Sequence, residues 1–311
     1  MARRIVWLLI AIAVARIVST YWILNHTMDE PSFISAGFEW LDSHTYAYMP
    51  EQPPLSHVTA AIGAKLAGAH NFPVPYQAPQ ILYQSPSYWR TLSSARAGEL
   101  PFFILAASIV WLWTRRLHGN LAAVLAVLLF TTLPTVLGHA GLATTDIALC
   151  AMVPAALYAF VLWLDKPGIK QAALLALAVA GGVLSKFSFL LFFPVSVAVI
   201  LLLRVDMKAL RNWRQYSWAF LPHLATFALA GIVCFILIWA GYWFHLGPLF
   251  QGLADLKQHS IYGHLSYLFG ELSTTGWWYF FPVVLAFKTP LPFLILALAA
   301  CIWLRRGPRE N

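Results

Sequence analysis

The sequence contains few charged residues. Only 10% of its 311 residues are Asp, Glu, Lys or Arg, against about 25% in average soluble domains, whereas 60% are hydrophobic. A soluble fold of this length could not bury so much apolar surface, so a bilayer must act as part of its solvent. The composition therefore excludes an ordinary soluble enzyme and predicts an all-α integral membrane protein.

Cysteine is also scarce, and its placement excludes two further classes. Cys150, Cys234 and Cys301 all lie inside apolar segments, so no disulfide framework or zinc site is indicated. A Gly-rich loop that could cradle a nucleotide phosphate is absent. The net charge of +8 does not indicate a nucleic-acid partner, because the basic residues stand in short clusters at the ends of apolar runs.

The apolar runs predict about eight transmembrane helices, since a spanning helix needs about 20 mostly apolar residues. The predicted spans are 5–24, 97–114, 119–138, 146–164, 170–184, 187–204, 218–243 and 278–304. The fifth and sixth spans are short and meet at Ser185-Lys186-Phe187-Ser188, which we interpret as a tight turn. Together they predict one transmembrane domain over residues 1–311.

The distribution of basic residues predicts a cytoplasmic N-terminus. With that orientation the inside segments hold 13 of the 20 Lys and Arg residues, and the outer segments or their interface hold six: Lys65, Arg90, Arg96, Lys186, Lys257 and Lys288. Arg16 lies within the first span. We therefore expect a multi-pass protein of the cell inner (plasma) membrane.

The first span has a rival interpretation. Arg3-Arg4, an apolar run and Ala13-Val14-Ala15 resemble a signal peptide, but the apolar run resumes after Arg16, which favours a retained anchor. Two long outer segments remain, 25–96 and 244–277, and long loops are usually functional. A mixed basic and apolar segment, 204–217, is predicted to lie at the inner interface.

The first outer segment carries candidate catalytic acids. Pro31 predicts a helix start, with Ile34, Phe38 and Leu41 as its apolar stripe, so Asp29 and Glu30 stand at its entrance. A helix cap is one explanation of this pair, and a general base for a hydroxyl nucleophile is the other. The pair is also compatible with a divalent cation, but two ligands are too few to predict one.

A second candidate region follows in the same loop. Two prolines after Glu51 and Gln52 predict a stiff turn, and an amphipathic stretch with Leu55, Val58, Ile62 and Leu66 comes next. The turn is explained either as a rigid connector that seats a helix on the membrane or as a support that places Glu51 in the same cavity as Asp29.

Three further candidates are ionisable residues near the outer bilayer face. Asp146 begins the fourth span, where a helix cap is the alternative to a functional role. Lys186 lies in the turn after the fifth span, where it either snorkels to headgroups or pairs with a lipid phosphate. Lys288 lies about ten residues into the last apolar run, so it needs a partner, a water-filled cavity or an anionic ligand.

The second outer segment adds His264 and Glu271 ahead of an aromatic run, 277–281, that fits an interfacial belt. The predicted acids and cations thus share the outer half. An outer cavity with both charges suits a phosphorylated lipid and a hydroxyl acceptor.

At these residues the sequence resembles glycosyltransferase family 39 of the GT-C superfamily, which includes protein O-mannosyltransferases and the bacterial aminoarabinose lipid A transferase. The motifs that carry the resemblance are Asp29-Glu30, Pro53-Pro54-Leu55, Ala143-Thr144-Thr145-Asp146, Ser185-Lys186-Phe187-Ser188, Gly276-Trp277-Trp278-Tyr279-Phe280-Phe281-Pro282 and Lys288-Thr289-Pro290. Each motif is weak alone, but their order and topological positions are fairly specific.

The resemblance implies a GT-C-like helical bundle and a polyprenyl-phosphate sugar donor. Asp29 matches the catalytic acid of the first outer loop, with Glu30 beside it, and Asp146 matches the second outer acid. Lys186 and Lys288 would neutralise the departing lipid phosphate, and Glu51, Gln52, His264 and Glu271 would line the cavity or contact the acceptor. Inverting single displacement onto a lipid or protein hydroxyl is then expected on the extracytoplasmic face.

The chain departs from the family pattern in two places. The family usually has His before the double proline, whereas Gln52 stands here, so any role for that imidazole is not carried over. Relatives usually continue with further spans and an outer soluble domain, so the chain is expected to be either a fragment or a minimal version.

Two other function classes remain open from the residues alone. A lipid or sugar-lipid transporter would place charges at the bilayer midplane and on broken helices. Apart from Lys288 and Arg16, the polar groups cluster on one face, which favours chemistry over alternating access. A structural or assembly subunit would be indifferent to changes at Asp29 or Asp146.

Overall fold

A computed structural model of the chain describes residues 1–70, 79–204, 221–262 and 265–305. Helices account for nearly all of its regular structure, which confirms the all-α membrane class. In chain order they are α1 (Ala2–Ser19), α2 (Glu30–Phe38), α3 (Pro54–Leu66), α4 (Gln80–Tyr83), α5 (Tyr88–Ala97), α6 (Leu100–Thr132), α7 (Pro134–Ala140), α8 (Thr145–Asp165), α9 (Ile169–Ser185), α10 (Phe189–Arg204), α11 (Leu221–Gly241), α12 (Gly247–Tyr262), α13 (Phe280–Lys288) and α14 (Leu291–Arg305).

Three helical stretches in the described residues are long and apolar enough to cross a membrane: Tyr88–Thr132, Thr145–Asp165 and His223–Gly241. If the bent pair α13 and α14 counts as one span, the described residues contain four such stretches. Helices α9 and α10 are apolar but shorter. The count of eight spans therefore stays a prediction. The segment 204–217 lies outside the described residues except for Arg204.

Helix α6 doubles back on itself at Gly119, whose φ of 81° is not helical. Phe103 and Phe130 stack with ring centroids 6.1 Å apart. A straight helix would separate these two residues by about 40 Å at 1.5 Å per residue. The two halves are therefore antiparallel neighbours, as the predicted spans 97–114 and 119–138 require.

Helices α2, α3 and α5 form a layer that we name the outer layer, after the side of the membrane predicted for these segments. They pack together around Ile34 and Phe38, both fully buried. The predicted start of α2 beside Pro31 is confirmed. Burial of two such side chains contributes about 1.5–3 kcal/mol each relative to exposure. This layer sets the position of the loop residues that precede α2.

The predicted amphipathic stretch forms α3, but Ile62 and Leu66 do not lie on its buried face. Ile62 and Leu66 are 44% and 80% exposed, whereas the buried face of α3 carries Pro54, Ser56, His57, Ala60, Ala61 and Ala64. Small side chains occupy this face because the backbones of α2 and α3 approach closely. A Cβ on Gly37 would overlap the His57 carbonyl. Small residues allow such close helix packing, and larger apolar side chains can then face outward.

The central helices pack α9 between α8 and α11. Phe160 and Trp163 of α8 contact Leu175 of α9, and Ala230 of α11 completes the cluster. The predicted turn between the fifth and sixth spans is confirmed, since α9 ends at Ser185 and α10 begins at Phe189.

The predicted last span, 278–304, is not one straight helix. Helices α13 and α14 are bent by 115° at Thr289-Pro290. Thr289 is extended, with φ −97° and ψ 128°, because the residue before a proline is driven out of the helical region. A two-stranded antiparallel hairpin precedes α13: β1 (Ser266–Leu268) pairs with β2 (Glu271–Ser273), with Ser266 opposite Ser273.

Candidate active site

Glu30 and Arg96 form a fully buried ion pair between α2 and α5. Arg96 Nε lies 2.8 Å from Glu30 Oε1, and Arg96 Nη2 lies 3.0 Å from Oε2. Both side chains are 0% exposed. This bidentate geometry joins the start of α2 to the end of α5 and adds direction to the charge attraction.

The remaining contacts of this pair tie two loops to the start of α2. The backbone N–H groups of Thr27 and Ala143 donate to the Glu30 carboxylate at 2.7 and 2.9 Å. Arg96 also donates to the carbonyls of Leu24 and Asn25 at 2.8 and 2.9 Å. The loop after α1, the loop before α8 and the start of α2 are thus held by one charge pair.

The electrostatics of Glu30 follow from these contacts. Burial by itself raises the pKa of Glu30, but the hydrogen bonds and positive charge of Arg96, with the N–H groups of Ala143 and Thr27, outweigh it. The pKa of this carboxyl therefore lies below its ordinary value of 4.5, and Glu30 is ionised at neutral pH.

Asp29 differs from Glu30 in both its exposure and its hydrogen bonding. It occupies the N-cap position of α2 but makes no capping hydrogen bond through its side chain. The residue is exposed, and no hydrogen bond or ion pair engages its carboxylate within the described part of the chain. Of the two adjacent acids, Asp29 is the one placed to accept a proton from a bound molecule.

Asp146 meets Lys186 and His139 at the same end of the bundle. Lys186 Nζ lies 2.6 Å from Asp146 Oδ1, and His139 Nδ1 lies 3.3 Å from Oδ2. Asp146 is in the first turn of α8, Lys186 follows α9, and His139 is in the last turn of α7. The Ala143 N–H donates a hydrogen bond to Glu30. Asp29 is next to Glu30 in the chain, and Asp146 follows Ala143 by three residues, so this hydrogen bond connects the two segments that carry these acids.

Helix α12 brings the Glu51 turn and the Lys186 turn together. A Cβ on Gly252 would overlap the carbonyl oxygen of Pro50, and it would lie 2.9 Å from the Phe187 ring. Pro50 precedes Glu51, and Phe187 follows Lys186. The predicted residues at these two turns are therefore on neighbouring segments.

A buried hydrogen-bond chain holds the Glu51-Gln52 turn in place. Tyr46 donates its hydroxyl proton to the Gln52 carbonyl at 2.7 Å, and His57 Nδ1 lies 2.5 Å from the same hydroxyl. Tyr46 has one proton to give, so His57 Nδ1 is assigned as the donor to it. Burial lowers the pKa of His57 to about 3, so this imidazole is neutral.

The other predicted site residues are Lys288, Glu271 and His264, and none of them has a described contact with the acids or with Lys186. Lys288, at the end of α13, and Glu271, in β2, are both exposed. Within the described ranges, no hydrogen bond or ion pair joins either side chain to the predicted acids or to Lys186. His264 lies outside the described residues.

Sequence reasoning missed two residues that organise this site, Arg96 and His57. Arg96 follows Leu92 by four residues, so both lie on the buried face of α5. His57 stands four residues before Ala61, on the buried face of α3. A polar residue at helical spacing from buried apolar residues was the available signal in both cases.

The adjacent acids Asp29 and Glu30 would need further ligands to hold a divalent cation. Among the residues that the structure describes, no group of three or more His, Cys, Asp or Glu side chains is arranged to hold a metal ion.

Comparison with known families supports the resemblance. Residues 91–239 match the model of the family described as dolichyl-phosphate-mannose-protein mannosyltransferase. This match confirms the likeness to protein mannosyltransferases of the GT-C superfamily, and it supports glycosyltransferase activity in a membrane. It covers α8 with Asp146 and the turn with Lys186, and it leaves Asp29 outside. No curated protein matches the chain.

Proposed function

We propose that this membrane protein is a glycosyltransferase that moves a sugar from a polyprenyl-phosphate donor to a hydroxyl acceptor at its outer face. The observation that carries the proposal is the buried Glu30–Arg96 pair, which ties the chain next to the exposed Asp29 to Ala143, three residues before the Asp146 that pairs with Lys186. The match at residues 91–239 favours a lipid-linked mannose-like donor.

The proposed reaction is a single displacement at the anomeric carbon. The acceptor oxygen attacks that carbon, its proton passes to Asp29, and the bond from the anomeric carbon to the phosphate oxygen breaks. Polyprenyl phosphate leaves with the bonding electrons, and the configuration at the sugar carbon is inverted. A positioned general base typically contributes about 10²–10⁴-fold to such a step.

Lys186 is proposed to bind the leaving phosphate. One of its three ammonium protons points to Asp146 at 2.6 Å, which leaves two donors for phosphate oxygens. Asp146 would then orient the Lys186 ammonium group and would not itself act as the base or nucleophile. Lys288, exposed at the end of α13, is proposed as a second phosphate ligand on the evidence of the motif alone.

Glu30 is proposed to position the site, because its carboxylate is buried and both of its oxygens accept hydrogen bonds from Arg96 and the backbone. The acceptor side is proposed to include Glu51 and Gln52, which the Tyr46 and His57 chain holds at the edge of the outer layer.

The arrangement favours transfer over transport. The candidate groups that the structure brings together lie at one end of the helices, at the start of α2, the start of α8 and the turn after α9. A transporter needs a binding site near the midplane that opens to both sides. Clustering at one end instead suits a reaction completed on one face.

The test compares Asp29→Asn with Asp42→Asn in membranes that contain each variant. Asp42 is a matched control, since it lies in the same outer segment and pairs with Lys65 at 2.6 Å. Labelled polyprenyl-phosphate mannose is the donor, and the readout is label transferred to protein or lipid. Asp29→Asn should lose at least about 100-fold of the transfer rate, while Asp42→Asn keeps it.

Two results would overturn the proposal. Full transfer by Asp29→Asn would remove Asp29 as the base. Donor bound by the unaltered protein with no transfer and no release of polyprenyl phosphate, but with movement across the membrane, would favour a transporter.

A further inference from the structure

A second cavity lies at the opposite end of the bundle, between α1 and the first half of α6. It has a volume of about 290 Å³. It is lined by Arg3, Val6, Trp7, Ile10, Ser108, Trp111, Leu112 and Arg115. None of these residues belongs to the candidate active site, and the exposed cations Arg4, Arg116 and Lys170 lie at the same end of the described helices.

The rim of this cavity is cationic and uncompensated. Arg3 and Arg115 have no acidic partner among the described residues, whereas the adjacent Arg116 pairs with Asp165 at 2.5 Å. Arg115 lies over the Trp111 ring at 5.6 Å, which orients its guanidinium toward the cavity. Two unpaired guanidinium groups at one opening are suited to a phosphate monoanion.

The wall of the cavity changes character with depth. Ile10 lies seven residues beyond Arg3, and Ser108 lies seven residues before Arg115. The cavity therefore extends about 10 Å along both helices from the arginines. Ile10 and Ser108 lie deepest, so the inner wall is apolar except for the Ser108 hydroxyl. Val6, Trp7, Trp111 and Leu112 lie about one helical turn inward from the arginines. Indoles commonly occupy this level at a membrane interface.

We propose that this cavity binds an anionic phospholipid, with the phosphate at Arg3 and Arg115 and an acyl chain along Ile10 and Leu112. A free phosphate ion would use the rim and leave the apolar wall empty. A zwitterionic lipid would fit the wall but would bring a cationic headgroup to two arginines. An anionic phospholipid satisfies both the charge at the rim and the apolar surface below it.

The test uses the full chain in detergent micelles with equal amounts of phosphatidylglycerol and phosphatidylcholine. Native mass spectrometry then counts the lipids retained on the protein. The unaltered chain should retain phosphatidylglycerol in preference to phosphatidylcholine, and excess inorganic phosphate should not displace it. This arm needs no variant, so it does not depend on how a substitution affects folding.

A second arm compares two double variants that remove the same charge. Arg3→Gln with Arg115→Gln changes the cavity, while Arg4→Gln with Lys170→Gln removes two exposed cations at the same end of the helices. At about 1 kcal/mol per basic residue near a charged lipid, the cavity variant should bind phosphatidylglycerol about 30-fold more weakly. The control should change less than about threefold.

Three results would overturn the proposal. Equal retention of the two lipids by the unaltered chain would indicate ordinary annular lipid. An equal loss in the cavity and control variants would indicate a diffuse field of basic charge. Displacement of phosphatidylglycerol by inorganic phosphate would indicate a simple anion site.

Discussion

Arg96 donates hydrogen bonds to both carboxylate oxygens of Glu30, at 2.8 and 3.0 Å, with neither side chain exposed. A buried ion pair of this kind adds little net stability over an apolar replacement, but the loss of one partner leaves an uncompensated charge. Since the pair holds the loops that carry Asp29 and lead to Asp146, its integrity decides both folding and the alignment of the site.

The first prediction concerns Glu30→Gln. This change should lower the free energy of unfolding by about 3–5 kcal/mol, because Arg96 is left charged and buried. The measurement is the midpoint of thermal unfolding in detergent, followed by circular dichroism. Lys65→Gln is the control: its partner Asp42 is 33% exposed, and such surface pairs are worth at most about 1 kcal/mol. Similar shifts in both variants would contradict a special role for the buried pair.

The second prediction is the pH dependence of this stabilisation. The pKa of Glu30 is lowered in the folded chain, so its ionised form favours folding above the ordinary value of 4.5. That contribution is lost as the pH falls from there through the lowered pKa. The stability gap between the unaltered chain and Glu30→Gln should be constant near neutral pH and narrow below about pH 4.5. A stability difference that is independent of pH would disprove the coupling between Glu30 ionisation and folding.

The sequence was sufficient where local signals determine the structure. Pro31 at the first turn predicted the start of α2, and the break in the apolar run at Lys186 predicted the turn between α9 and α10. The start of α8 at Thr145 also agrees with the prediction that the fourth span begins at Asp146. These features depend on a few adjacent residues, which is the range over which a single sequence is informative.

Features that depend on distant residues were not predictable in the same way. Glu30 stands four residues before Ile34, on the buried face of α2, but Glu30 and Arg96 are 66 residues apart and no local signal pairs them. The buried face of α3 was not predicted, because hydrophobicity points to Ile62 and Leu66, whereas close packing on α2 favours alanine and glycine. In a lipid environment, large apolar side chains do not need the protein interior, so hydrophobicity alone cannot identify the packed face.

The third prediction concerns Lys186. Lys186→Met should reduce the rate of polyprenyl-phosphate release by about 100-fold, because the leaving phosphate loses a cation in the transition state. Lys186→Arg should retain more activity, since it keeps the charge near Asp146. Lys257→Met is the control, an exposed lysine on α12. If the Met and Arg variants were equally active, the charge at this position would not be needed.

The last prediction concerns the contact of α12 with the two turns of the site. A methyl group on Gly252 would overlap the Pro50 carbonyl and press on Phe187, so Gly252→Ala must displace the turn of Glu51, the turn of Lys186 or α12 itself. Overpacking of this kind costs about 1–3 kcal/mol, and displaced catalytic groups lower the rate further. Gly247→Ala is the control, because a Cβ there meets nothing within 4 Å. Sugar transfer and the unfolding midpoint should both fall for Gly252→Ala and stay unchanged for Gly247→Ala. If both alanine variants transferred sugar at the unaltered rate, α12 would not set the distance between the turns, and Glu51 and Lys186 would have to be aligned by the helices beneath them.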